Sequence, residues 1–248
     1  MVEVGKTIAL LALGGMISLP SQSREQTASP AGGAASPAAS SADLQKVISQ
    51  LDTAAAKFLS AQADFTWDQF QVLFNDHDVQ TGTIYFERKK GVTRMAAYFL
   101  QENGKDAPKT VSYDGSEVNF YEPRIKQMTI LRAGADRNQW ESFLTLGFGG
   151  SGADLQANWK VSLLGTESLN GVSVAKLDLV PTAQKVQQMF THVTVWVDPT
   201  RAISLKQIFY EPSGDLRTVT YKIIHYNTPI AGDVFHIKTA PGTTTQVK

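Results

Sequence analysis

Ser151 is the first residue to weigh for chemistry, because it sits in the run Gly147-Phe148-Gly149-Gly150-Ser151-Gly152. A nucleophile elbow places glycine two residues to either side of its serine, whereas the flanks here are Gly149 and Ala153. A phosphate loop ends in Gly-Lys-Ser/Thr, which is absent. The run therefore reads as a mobile glycine hinge. His77, His192, His225 and His236 lack the i,i+2 or i,i+4 spacing of a metal motif, although His192 and His225 could meet across strands. Arg88-Lys89-Lys90 lies between two strands, either as a solvated turn or at a cavity rim. At a rim, a guanidinium could hold helix carbonyls or a lipid headgroup by forked hydrogen bonds. No catalytic constellation emerges, so the chain reads as a non-enzyme with no cofactor and no metal site.

What must position these residues is mostly β-structure. Over residues 81–131 apolar side chains alternate along consecutive strands, with turns at Asp114-Gly115 and Glu122-Pro123-Arg124. That pattern predicts a curved antiparallel sheet whose inner face holds something apolar. Ala63, Phe65 and Trp67 alternate, then Phe70, Val72 and Phe74 continue on the other parity, which predicts a bulge or a doubly buried strand near Asp68. Further strands are expected at residues 159–164, 172–180, 192–197, 202–210 and 216–226, with turns at Asp198-Pro199 and Glu211-Pro212-Ser213-Gly214. Short connections imply a meander. Trp140, Phe143, Leu144 and Gly147 suggest a short helix, and residues 153–158 a second helical turn.

Leu44, Val47, Ile48, Leu51, Ala55, Phe58 and Leu59 fall on one helical stripe that Ser41 or Asp43 could cap. The stripe suits an ordinary core helix and a lid over a cavity equally well. Ile84, Phe86, Met95, Phe99, Val118 and Phe120 share strand faces in neighbouring segments and are expected to line one continuous concave surface rather than a closed dry core.

The 248 residues suffice for one large β domain. Lys plus Arg and Asp plus Glu number 23 each, so no net charge draws the chain to nucleic acid. Lys6, an apolar core over residues 8–17 and small residues up to Ser23 predict a signal peptide at residues 1–23, cleaved after Ser23, with an uncleaved anchor as the alternative. Residues 24–42, rich in Ser, Ala, Pro and Gly, read as a disordered linker. The folded domain is expected at residues 43–248. Without cysteine there is no disulfide, and no thiol to lipidate at the cut site.

The order of segments resembles the periplasmic outer-membrane lipoprotein carriers, the LolA family. The landmarks are the helix at residues 44–59, ADFTW from Ala63, GTIYFERKKGVTRM at 82–95, SYDGSEVNFYEPRIKQMTI at 112–130 and VFHIKTAPGTTTQV at 234–247. The resemblance implies a mainly β (α+β) fold, an unclosed antiparallel β-barrel with the N-terminal helix and short helices as a lid over an apolar cavity. Arg88 falls where the family places a lid-bonding arginine, and Met95 at an aromatic position of the lining. Phe65, Trp67, Leu144 and Phe148 join the six residues above as the expected lipid-binding set. Lys89 stands where members typically have proline, and residues 147–152 have no counterpart in the pattern.

The function so implied is a soluble periplasmic monomer that shields the acyl chains of lipoproteins. It would take them from an inner-membrane release transporter to an outer-membrane acceptor, without binding nucleic acid. A lipid- or lipoprotein-sensing regulator on the same fold is the alternative.

Overall fold

Ser40 sets the start of helix α1 (Ser41–Ala55). Its hydroxyl accepts the Asp43 N–H at 3.2 Å while the Asp43 carboxylate accepts the Ser40 N–H at 3.3 Å, a reciprocal cap that satisfies two end donors. The cap is thus Ser40 rather than Ser41 or Asp43, because Asp43 stands three residues on and supplies the returning acid. Val47, Ile48, Leu51, Ala54 and Ala55 form the buried stripe. The helix stops at Ala55, short of the expected Leu59. The Asn227 side chain bonds the Leu59 N–H and the Lys57 carbonyl, which fixes the exit as extended chain and leaves Leu59 exposed.

This computed structural model describes residues 40–89, 91–132 and 144–248. The expected signal peptide, nearly all of the linker, Lys90, Trp140 and Phe143 lie outside the described residues. No helix among the described residues is long and apolar enough to cross a membrane.

Twelve strands form one sheet. β1 (Ser60–Gln71), β2 (Asp76–Lys89), β3 (Val92–Glu102), β4 (Lys105–Tyr113), β5 (Glu117–Glu122) and β6 (Gln127–Arg132) make the first antiparallel meander. After helix α2 (Gly152–Asn158), strands β7 (Trp159–Leu169), β8 (Val172–Pro181), β9 (His192–Asp198), β10 (Ile203–Tyr210) and β11 (Leu216–Tyr226) make the second, with a short helix α3 (Gln184–Gln187) between β8 and β9. The meanders join where β1 pairs with β11, and β12 (Thr244–Val247) adds a parallel strand to β6. β12 and β7 stand at opposite ends of the strand order, so the sheet is curved and unclosed.

The expected bulge near Asp68 is absent. β1 runs in unbroken register through Asp68 to Gln71, and the irregularity lies at Gln62/Ala63, where β1 meets β11. The parity change in the sequence has another cause: β1 ends, and Val72, Leu73 and Phe74 form an exposed hairpin tip rather than strand. The apolar cluster between the curved sheet and α1 includes Leu51, Phe58, Phe86, Leu177 and Val195, each at most 2% exposed.

Candidate functional site

Phe65 and Trp67 point to the same face of β1, and that face looks into the curve of the sheet. Opposite Phe65 stands Gly82, where a Cβ would lie 2.1 Å from the Tyr98 carbonyl oxygen and 2.8 Å from the Phe65 ring. The missing side chain, beside a register shift at Thr81/Gly82, lets the Phe65 ring lie over the strand and meet Phe99 edge-on at 5.0 Å. Trp67 stacks over Phe209 of β10 at 6.3 Å.

These rings line an apolar cavity of ≈ 120 Å³. Eight of the ten expected residues line it: Phe65, Trp67, Ile84, Phe86, Met95 and Phe99 from the sheet, and Leu144 and Phe148 from the segment before α2. Val118 and Phe120 do not. They belong to β5, one strand beyond β4, whose Val111 is the lining residue on that side; Val118 is wholly buried in the core and Phe120 half-buried against it. The surface is partly covered: Phe86 and Phe148 are each 1% exposed, while Trp67, Ile84 and Phe99 stay half-buried. The far wall, Gln207, Phe209, Arg217, Val219 and Tyr221, comes from β10 and β11. Alternation along 217–221 is visible in the sequence, but nothing local says that this strand lies beside β1.

The cover is a strap, residues 144–151, and the glycine run expected as a hinge is packed and bonded within it. Phe148 makes an isolated bridge to Ile203, the Gly149 N–H donates to the Ala202 carbonyl at 2.8 Å, and Gln207 Nε2 donates to the Leu146 carbonyl at 2.7 Å. Glycine is needed for close approach. A Cβ on Gly149, at φ +75°, would stand 2.4 Å from the Phe58 ring, and one on Gly152 2.6 Å from Ile48. Ser151 caps α2 by accepting the Asp154 N–H at 3.0 Å, which gives the hydroxyl a structural role.

Arg88 ties the strap to the helix. Nη1 donates to the Ala55 carbonyl at 2.6 Å, at the C-terminal end of α1, and Nη2 donates to the Gly149 carbonyl at 2.5 Å. The cation also lies 5.6 Å from the Phe58 ring centre. A helix-end carbonyl is a favourable partner for a cation, and that of Ala55 also accepts the Phe58 N–H. Arg88 borders a second, more polar cleft of ≈ 770 Å³ on the other side of the strap, and Leu146 lines both spaces. The strap is therefore the partition between them.

Gln207, Arg217 and Tyr221 bring polar groups to the wall of the apolar cavity. Tyr221 donates its hydroxyl to Gln207 Oε1 at 3.2 Å, and burial pushes its phenol well above the usual range. His192 and His225 do not meet: they lie on β9 and β11 with β10 between, and His192 stacks on Tyr210. Among the described residues no group of His, Cys, Asp or Glu is placed to hold a metal. The arrangement can sequester apolar matter behind a strap held by polar bonds.

Known structures share this frame. An uncharacterized conserved protein from Thermus thermophilus matches with a TM-score of 0.53 at 11% identity, over 83% of this chain and 99% of that one. MucB matches with a TM-score of 0.51 at 15% identity, over 80% of this chain and 64% of that one, so this chain spans a little under two thirds of MucB. The LolA superfamily protein NE2245 from Nitrosomonas europaea matches with a TM-score of 0.40 at 12% identity, over 78% and 97%. At such identities the first two show a likeness of fold alone. No curated protein matches the sequence. A family model described as that of an uncharacterized protein matches residues 93–246, more than half of the chain, and to that family this chain belongs.

Proposed function

We propose that the protein is a carrier for acyl chains, acting in the periplasm on lipoproteins that pass from an inner-membrane release transporter to an outer-membrane acceptor. The observation that carries this reading is an apolar cavity covered by a strap that is held by polar bonds, among them those of Arg88 to Ala55 and Gly149. A buried acyl chain stabilises its complex by about 0.8 kcal/mol per methylene. The cavity of ≈ 120 Å³ is too small for a long chain until Phe148 withdraws. Cargo and strap thus compete for the same apolar wall, which keeps binding reversible. Residues 1–23 would serve as the export signal and residues 24–42 as a tether, with the protein working as a monomer.

MucB has also been crystallised in complex with MucA(peri). The shared frame supports a second reading, in which this chain uses the sheet to bind a regulatory protein and lipid modulates that contact.

Binding of an apolar fluorescent probe and mass spectrometry of lipids that copurify from a periplasmic fraction test the carrier reading. Phe99, half-buried at the cavity wall, is the place to introduce a charge without burying it fully. Phe99→Glu should suppress probe uptake while the fold survives. A wild-type protein that binds neither probe nor acylated peptide would sink the carrier reading. Capture of a protein partner with no lipid dependence would favour the second.

A further inference from the structure

The apolar cavity ends on a charge. Arg217 lines it from β11, yet its side chain is only 6% exposed. On the sheet it stands between Gln69 of β1, itself buried, and Phe209 of β10. Val219 and Tyr221 follow on the same face, and Tyr221 touches Phe148 edge-on at 4.9 Å. Arg217 and Tyr221 are four positions apart on the strand, about 13 Å. The cation therefore occupies the opposite end of the cavity from the Phe148 cover.

A guanidinium carries five N–H donors in a planar fork. Among the described residues Arg217 uses one: Nε donates to Glu211 Oε1 at 2.5 Å, while its Cζ lies 5.5 Å from the Phe190 ring centre. Glu211 sits in the turn between β10 and β11 with its side chain 18% exposed, and Arg217 is the hydrogen-bond partner of its carboxylate. A carboxylate on an outer turn can yield its place to another oxyanion without uncovering the cation, so the penalty for an unpaired buried charge does not arise.

We propose that Arg217 is the headgroup subsite of this cavity, and that the ligand is an amphiphile with one oxyanion head, a carboxylate or phosphate ester on an alkyl chain. The head takes the place of Glu211 on the guanidinium, and the chain runs over Phe209 and Val219 toward Phe86. The proposal rests on the acyl-carrier reading and narrows its ligand class.

Titration of the full chain with dodecanoate, dodecyl phosphate, dodecanol, and acetate or inorganic phosphate alone tests it, in wild type, Arg217→Gln and Glu211→Gln. The anionic amphiphiles should bind about tenfold tighter than dodecanol to wild type. Arg217→Gln should erase that margin. Glu211→Gln, which removes the internal competitor, should widen it by about another tenfold while dodecanol binding stays unchanged. That gain cannot come from a folding defect, so Glu211→Gln decides the matter even if Arg217→Gln fails to fold. Equal binding of dodecanol and the anions in wild type and Glu211→Gln overturns the headgroup subsite and leaves the carrier reading standing. Equal competition by free acetate or phosphate overturns the amphiphile in favour of a simple anion site. If no alkyl compound binds at all, the carrier reading falls, and this proposal with it.

Discussion

The ring of Phe148 lies flat on that of Phe86, with centroids 4.0 Å apart and planes 10° from parallel. One ring belongs to the sheet and the other to the strap, so this stack is where the cover meets the cavity wall. Truncation of Phe148 to alanine should cost about 3–5 kcal/mol of stability, read from denaturant unfolding. It should also raise affinity for an apolar probe, because the space it vacates joins the cavity. Lower probe affinity in a folded variant would show that Phe148 is wall rather than cover.

Neighbouring glycines of the strap should respond oppositely to the same change. Gly149→Ala forces a Cβ into the Phe58 ring at a positive φ, and a loss of about 1–3 kcal/mol is expected. At Gly150 a Cβ would meet nothing within 4 Å, so Gly150→Ala should be near neutral. Equal thermal shifts in the two variants would contradict the packed position of the strap.

Arg88→Leu should alter release more than uptake. It removes both carbonyl ties, worth about 1–3 kcal/mol, from the closed state and so weakens the competitor of bound cargo. Transfer of a fluorescent acyl probe to acceptor liposomes should slow, and exchange protection of the Gly149 amide should fall. Unchanged transfer with unchanged protection would rule out the latch.

Asp78 should make the protein less stable at neutral pH than a neutral isostere would. Burial, with the Glu102 carboxylate nearby, holds its carboxyl above the usual range, and Oδ1 is buried without a hydrogen-bond partner among the described residues. Below the ordinary carboxylate pKa both folded and unfolded chains carry the proton, and nothing is lost. As pH rises through the raised folded value the unfolded chain has already ionised, so stability falls and stays lower at neutral pH. Asp78→Asn should therefore raise Tm at pH 7, and the gain should vanish toward pH 3. A gain that persists in acid would point to a cause other than ionisation.

Much of the local structure was legible from residue spacing. The stripe Val47, Ile48, Leu51 and Ala55 marks α1, and alternation at Ile84-Phe86 and Met95-Ala97-Phe99 marks the inner face of β2 and β3. The resemblance added the unclosed curved sheet and pointed to Arg88, whose partners proved to be a helix-end carbonyl and the strap. Short-range patterns state which face of an element avoids water, because a side chain's exposure depends on its own period. They do not state what lies opposite. The pairing of β1 with β11, which brings Arg217 and Phe209 to Trp67, spans some 150 residues, and Val118 misses the cavity only because β5 lies one strand too far along the curve. The glycine run shows the same limit: a flexible backbone by composition is held in place by Phe58, Ile48 and Ser204, neighbours that only the tertiary structure could supply.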